Sequence, residues 1–126
     1  MKKLSYAVLK EQGYDGYLLE SAPERVLQFG EGNFLRAFVD YFIDELNEKA
    51  GFNSKVVLCQ PIAPDLDDRF NEQEGLYTLF LRGFQDGKKI NKKRVISCVS
   101  RFFIYNLLFY SNIIHIKIHQ IICLSR

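Results

Sequence analysis

The stretch "RVLQFGEGNFLRAFVDYFIDELN", Arg25 to Asn47, decides the fold. A short apolar run ends in Gly30-Glu31-Gly32, and a long periodic segment follows at once. Val26, Leu27 and Phe29 read as a strand of a mostly buried sheet. Phe34, Leu35, Phe38, Val39, Phe42, Ile43 and Leu46 recur at helical spacing and line one face of a helix. Arg36, Asp40, Asp44, Glu45 and Glu48 fall on the other face. Asn33 stands where an N-cap belongs, and Gly51 stands just past the last periodic residue as a stop. Phe38, Phe42 and Ile43 are expected to pack in the core.

The turn between strand and helix has the makings of a phosphate site. A glycine at Gly30 permits a tight exit from the strand, and one at Gly32 lets backbone approach a pyrophosphate closely. The helix N-terminus from about Asn33 supplies free N–H groups and a partial positive charge. This is the logic of the dinucleotide fingerprint G-x-G-x-x-G in its strand-turn-helix context. Two positions depart from it. Leu35 stands where a third small residue belongs, and Cys59 and Gln60 stand where the ribose-binding acid usually ends the second strand. Asp65, beyond two prolines, is the nearest candidate for that acid. The residues alone therefore leave two readings open, a dinucleotide turn and an ordinary strand-to-helix turn.

Outward from this unit, residues 4–12 suit a short helix, and Pro23 sets up an extended segment. "KVVLC", Lys55 to Cys59, is a second buried strand. The crossover rule makes it a parallel neighbour of the first, the beginning of a βαβ unit. Pro61 and Pro64 break the chain, and "DLDDRFNEQEG" suits a helical turn. "LYTLFLRGF" and "KRVISCVS" read as two strands joined at the hairpin signal Asp86-Gly87. The fold class is α/β, an incomplete Rossmann-type unit with a β-hairpin.

The chain has 126 residues, enough for one ordinary domain. Of its 17 basic residues only Lys117 and Arg126 lie past residue 101, so the first 101 carry 15 bases against 15 acids and are neutral. A nucleic-acid partner would need a clustered basic face, and none is read here. Cys59, Cys98 and Cys123 are odd in number and widely spaced. They read as reduced thiols, two of them buried in strands, rather than as a disulfide framework. The start, "MKKLSYAVLKEQ", lacks the unbroken apolar core of a signal peptide, so a cytoplasmic location is expected.

"QFGEGNFLRAF" resembles the N-terminal cofactor loop of the mannitol dehydrogenase family of polyol and sugar-acid dehydrogenases. "ERVLQFGEGNFLRAFVDYFIDELN", the "QPI" after the second strand, and "QEGLYTLFLRG" resemble one branch in particular, the tagaturonate reductases or altronate oxidoreductases. The resemblance runs from about Pro23 to Arg101. It implies an NAD(H) cofactor and reversible hydride transfer between altronate and tagaturonate in hexuronate breakdown. It also implies cofactor-binding roles for Phe29, Gly30, Glu31, Gly32, Asn33 and Phe34. Arg36 would lie near the cofactor or a domain interface, or else on a solvated helix face. The family's catalytic lysine, with its Asn and His neighbours, belongs to a helical second half that no part of this chain resembles. The expected chain is thus catalytically incomplete, and the sugar acid would be bound only by the full-length enzyme.

The chain divides into a lead-in at 1–22, a partial cofactor domain at 23–101 and a tail at 102–126. The tail, "FFIYNLLFYSNIIHIKIHQIICLSR", holds 7 Ile and no Asp, Glu, Gly, Pro, Ala, Val or Thr. Its residues are largely those of A/T-rich codons, which points to a frameshift after about Arg101. Two rival readings attach to it. One is a membrane-seeking segment on a small nucleotide-binding or interaction module, against which stand Asn106, Asn112, His115, Lys117, His119 and Gln120, all costly in lipid. The other is a metal row at His115, His119 and Cys123. The uncharged run "IYNLLFYSNII" is β-prone and invites self-association.

Overall fold

A buried parallel sheet needs strands that are largely apolar, and four segments of this chain pair in one. The computed structural model describes residues 3–30, 32–60, 69–104 and 121–124. In chain order the elements are α1 (Tyr6–Glu11), β1 (Glu24–Phe29), α2 (Asn33–Ala50), β2 (Lys55–Gln60), β3 (Tyr77–Gln85), β4 (Lys88–Ile96), β5 (Val99–Ile104) and β6 (Ile121–Leu124). β5, β2, β1 and β6 form one sheet in that order, and every neighbouring pair is parallel. β3 and β4 form a separate antiparallel hairpin.

The expected parallel pairing of the first two strands is present, with Phe29 opposite Cys59 in register. The hairpin also turns where expected, with Asp86 and Gly87 both left-handed at φ 52° and 73°, as a tight two-residue turn requires. The expected single return strand is corrected. It ends at Ile96, and Val99–Ile104 is a new strand that joins β2 in parallel. Cys98 lies in the link between them, not in a strand, and is buried like Cys59 in β2. The sheet is also wider than the sequence led us to expect, because β6 pairs with the free side of β1. Residues 69–72 are helical, as "DLDDRFNEQEG" suggested.

The helix α2 shows the largest departure. Its N-cap is Gly32, not Asn33, and no side chain caps it. Gly51 closes it as expected, in the left-handed conformation. The core face, however, is Leu35, Asp40, Ile43, Asp44 and Asn47. Phe34, Phe38, Phe42 and Leu46 form an exposed stripe, so Phe38 and Phe42 are not core residues. Only Ile43 of the three expected core residues joins Val26, Val56, Leu58, Ile96 and Phe102 in the main cluster.

Partners for the buried acids come from far along the chain. Asp44 is fully buried, and its Oδ2 accepts from Arg94 at 2.6 and 2.9 Å. Its Oδ1 accepts from the Ser97 backbone N–H at 3.0 Å and the Ser97 hydroxyl at 3.2 Å. Arg94 also donates to Glu45 and Glu48, so one guanidinium ties β4 to three acids of α2. Asn47 exchanges two 2.9 Å bonds with the backbone of Ser54, which fixes the entry to β2. The lead-in docks through Lys55, whose buried ammonium donates to the Tyr6 hydroxyl and the Ser97 and Leu19 carbonyls. Burial holds the Lys55 pKa below its ordinary value.

Asp40 is less well served. Its Oδ2 lies 3.2 Å from the Tyr77 hydroxyl, which also donates to the Arg36 carbonyl at 2.8 Å. Its Oδ1 has no partner among the described residues. Burial pushes its carboxyl up to about 7, against the opposing pull of Tyr77, Gln28 and Arg36. Among the described residues no helix is long and apolar enough to cross a membrane. The row His115, His119 and Cys123 lies outside the residues whose side chains are described.

Two outcomes follow from these acids. Arg94→Met strands the Asp44 carboxylate in the core and should cost about 3 kcal/mol or more in urea unfolding. Asp44→Leu combined with Arg94→Met should recover part of that loss, and a single-variant loss under about 1 kcal/mol would contradict the clamp. For Asp40 the folded pKa is raised, so its protonated form stabilises the fold. That contribution is complete below about pH 4 and is lost as pH rises through about 7. The melting temperature of the wild type relative to Asp40→Asn should therefore fall across this window, and a flat difference would contradict it.

Candidate functional site

β1 delivers the chain to the turn at its C-terminal end. Phe29 is half-buried as the last strand residue. Gly30 follows at φ 103°, a region that L side chains rarely adopt. Its N–H donates to the Cys59 carbonyl at 2.8 Å, which pins the turn to the end of β2. Gly32 then caps α2 at φ −54° and ψ 159°. Among the described residues, a Cβ on Gly32 would meet nothing within 4 Å. The turn therefore needs Gly30 for its backbone, whereas Gly32 faces open space that a group could enter.

The first intrahelical bond runs from the Arg36 N–H to the Gly32 carbonyl at 3.1 Å. The N–H groups of Asn33, Phe34 and Leu35 thus precede the first helical hydrogen bond, and no side chain caps them. With the N-terminal end of the helix dipole, they form an anion site of the kind a pyrophosphate takes. The sheet order places this turn where the strand order reverses. β1 is followed spatially by β2 and β5 on one side and by β6 on the other. Ligands of open parallel sheets bind outside the carboxyl ends of the strands at that reversal. Uncapped donors, an open glycine and the switch point together fit a dinucleotide pyrophosphate.

The other expected residues divide clearly. Phe34 is 72% exposed at the mouth of the turn, stacked on Phe38 at 5.3 Å. The Asn33 carboxamide oxygen accepts from Arg36 at 2.6 Å. Arg36 is half-buried, with its guanidinium 5.3 Å from the Phe70 ring centroid and 6.0 Å from that of Tyr77. That stacking turns Arg36 toward the link to the hairpin. Glu31 and Asp65 lie outside the described residues, as does the side chain of Gln60. Cys59 is buried, and burial pushes its thiol up to about 11, so it is a neutral packing group at neutral pH. Among the described residues no group of His, Cys, Asp and Glu could hold a metal ion.

Sequence reasoning missed Gln28. It is fully buried in β1 and donates to the Gly30 carbonyl at 3.2 Å. A polar residue inside "VLQF" was the available signal, since a central strand otherwise reads apolar.

Comparison with known proteins bears on this geometry directly. Residues 24–110 match the family described as mannitol dehydrogenase Rossmann domain. The altronate oxidoreductase of Bacillus subtilis (strain 168) is 48% identical over 93 residues, covering 74% of this chain and 19% of that protein. The altronate oxidoreductase of Phocaeicola vulgatus is 51% identical over 79 residues, covering 63% of this chain and 16% of that protein. The chain thus spans about a fifth of the length of the curated relatives it matches. Among solved structures, Pseudomonas fluorescens mannitol 2-dehydrogenase, in a ternary complex with NAD and D-mannitol, superposes with a TM-score of 0.66 at 24% identity. That match covers 82% of this chain and 22% of the other. A D-sorbitol dehydrogenase in substrate-free form gives a TM-score of 0.57 at 22% identity, over 70% of this chain and 18% of the other. At that identity the likeness establishes the fold, a Rossmann-like α/β unit. Matched over more than half its length, the chain belongs to the mannitol dehydrogenase Rossmann domain family.

Proposed function

We propose that this chain is the cofactor-binding portion of an NAD-dependent oxidoreductase that interconverts altronate and tagaturonate. The observation that carries the reading is the turn at Gly30 and Gly32, set at the switch point and backed by the uncapped start of α2. The altronate oxidoreductases at 42–51% identity support the substrate pair. The family match and the NAD complex of the structural neighbour support the cofactor. NAD supplies the hydride acceptor. The chain's own residues hold it: the N–H groups of Asn33, Phe34 and Leu35 face the pyrophosphate, and the opening over Gly32 lets it approach. Glu31 and Asp65 are proposed as further cofactor contacts, Asp65 toward the ribose. The setting is cytoplasmic hexuronate breakdown.

Alone, the chain is proposed to bind NAD without catalysing the reaction. Hydride transfer needs a substrate held beside the nicotinamide and its oxygen polarised there. The chain corresponds to a fifth of the relatives' length, and in the proposed reading those groups belong to the remainder. The abrupt change of composition after about Arg101 is the ground for proposing a shifted reading frame within the tail, past the family match that ends at residue 110. DNA downstream of codon 101 should then encode family-like sequence in another frame, and its absence from all frames contradicts the shift.

Gly32→Asp tests the turn cleanly. The backbone at Gly32 suits any residue and the added Cβ meets nothing among the described residues, so folding should be preserved. The carboxylate would occupy the phosphate position and repel it, costing roughly tenfold or more in NAD affinity by calorimetry. Unchanged affinity with an unchanged melting temperature contradicts the proposed site. In a turnover assay the purified 126-residue chain should show no tagaturonate reduction with NADH. Activity that disappears in Gly32→Asp would overturn the proposed incompleteness.

A further inference from the structure

Gln28 is out of place in its strand. β1 lies between β2 and β6 inside a parallel sheet, where side chains are ordinarily apolar. Gln28 is fully buried there, two residues from Val26 and therefore on the same face of the strand. Burying a carboxamide is costly unless its polar atoms are satisfied. Only half of this one is: Nε2 donates to the Gly30 carbonyl at 3.2 Å, while Oε1 has no donor among the described residues. Asp40 lies beside the carboxamide and carries the second orphan acceptor. A leucine or methionine would remove the carboxamide's own deficit but leave the Asp40 acceptor unmet and without the Gln28 contact that pulls its carboxyl down, so apolar packing alone does not account for the residue.

What Gln28 does hold is the turn. Neither Gly30 nor Gly32 has a side chain of its own to fix its backbone. The Gly30 N–H is held from β2 by the Cys59 carbonyl at 2.8 Å. The Gly30 carbonyl is held from beneath by Gln28. Both backbone polar groups of Gly30 are thereby pinned, at the residue whose φ of 103° redirects the chain toward α2. Two residues later Gly32 opens onto free space with the helix donors behind it.

We propose that Gln28 is a positioning residue for the dinucleotide: its buried carboxamide fixes the Gly30 carbonyl and so aims the turn and the first N–H groups of α2 at the pyrophosphate. The inference rests on reading this turn as the NAD site, and it makes a statement about the turn that holds without ligand. Preorganised donors bind more tightly because ordering them costs nothing at the moment of binding.

The test compares the full chain with Gln28→Met, which keeps volume and loses the donor, and with Val26→Ala, a core cavity in the same strand. Backbone order at Gly30 and Gly32 is read by 15N relaxation, NAD affinity by calorimetry, and stability by melting. Gln28→Met should lower the order parameters of both glycines from about 0.85 toward 0.6. It should weaken NAD by roughly tenfold. Val26→Ala should lower the melting temperature at least as much and leave turn order and affinity unchanged. Equal turn order in Gln28→Met and wild type overturns the proposal. So does an affinity loss in Val26→Ala that matches the one in Gln28→Met. If the wild type binds no NAD, the cofactor reading fails while the relaxation result still decides the role of Gln28. If Gln28→Met does not fold, the wild-type carboxamide protons decide. Slow exchange and a cross-peak to Gly30 support the clamp, and solvent-like exchange overturns it.

Discussion

The Asp44 carboxylate, buried in the middle of α2 and bound by Arg94 and Ser97, is the constraint on which the rest of the structure depends. A buried charge with every lone pair occupied is tolerable, and it permits one arrangement only. Here it sets α2 against the point where the hairpin returns to the sheet. The Asn47–Ser54 pair fixes the C-terminal end of the helix, and the Tyr77 hydroxyl on the Arg36 carbonyl fixes its first turns. Held at three levels, α2 cannot rotate its N-terminus away from Gly30 and Gly32. The site is therefore a consequence of packing some way from it.

The strand-turn-helix order, the parallel start of the sheet and the stop glycine Gly51 were legible in the sequence. Each is encoded within a few neighbouring residues. The facing of α2 was not. A stripe of Phe34, Phe38, Phe42 and Leu46 outranks Asp40, Asp44 and Asn47 on any hydropathy argument, yet the acids face the core. Their partners Tyr77, Arg94 and Ser97 lie roughly forty to fifty residues further along, beyond the reach of local pattern reading. The break between β4 and β5 was missed for a different reason. The chain leaves the hairpin and enters the sheet at Ser97 and Cys98 with no glycine or proline to mark it. At the site, the glycines announced themselves, while Gln28 read as an interruption in a strand rather than as part of the turn.

The exposed stripe has its own energetic meaning. Phe38, Phe42 and Leu46, with Phe52 and the edge of Val26, line an apolar hollow beside the helix. Neighbouring rings 5.0–5.3 Å apart satisfy one another only in part and leave a continuous apolar surface toward solvent. Asp40 adds an acceptor unsatisfied among the described residues, on the opposite face of the same helix. α2 therefore combines a well-determined orientation with two unfavourable terms, and its net stability rests on the Asp44 clamp and the sheet beneath it.

The central claim is that the Gly30–Gly32 turn and the first residues of α2 receive the cofactor. An 15N correlation spectrum of the 126-residue chain titrated with NAD reads it most directly. The account predicts that the largest shift changes fall on the amides of Gly30, Gly32, Asn33 and Phe34, with the hairpin tip at Asp86 and Gly87 unaffected. Saturable changes confined to other residues, with those four amides unmoved, would contradict it.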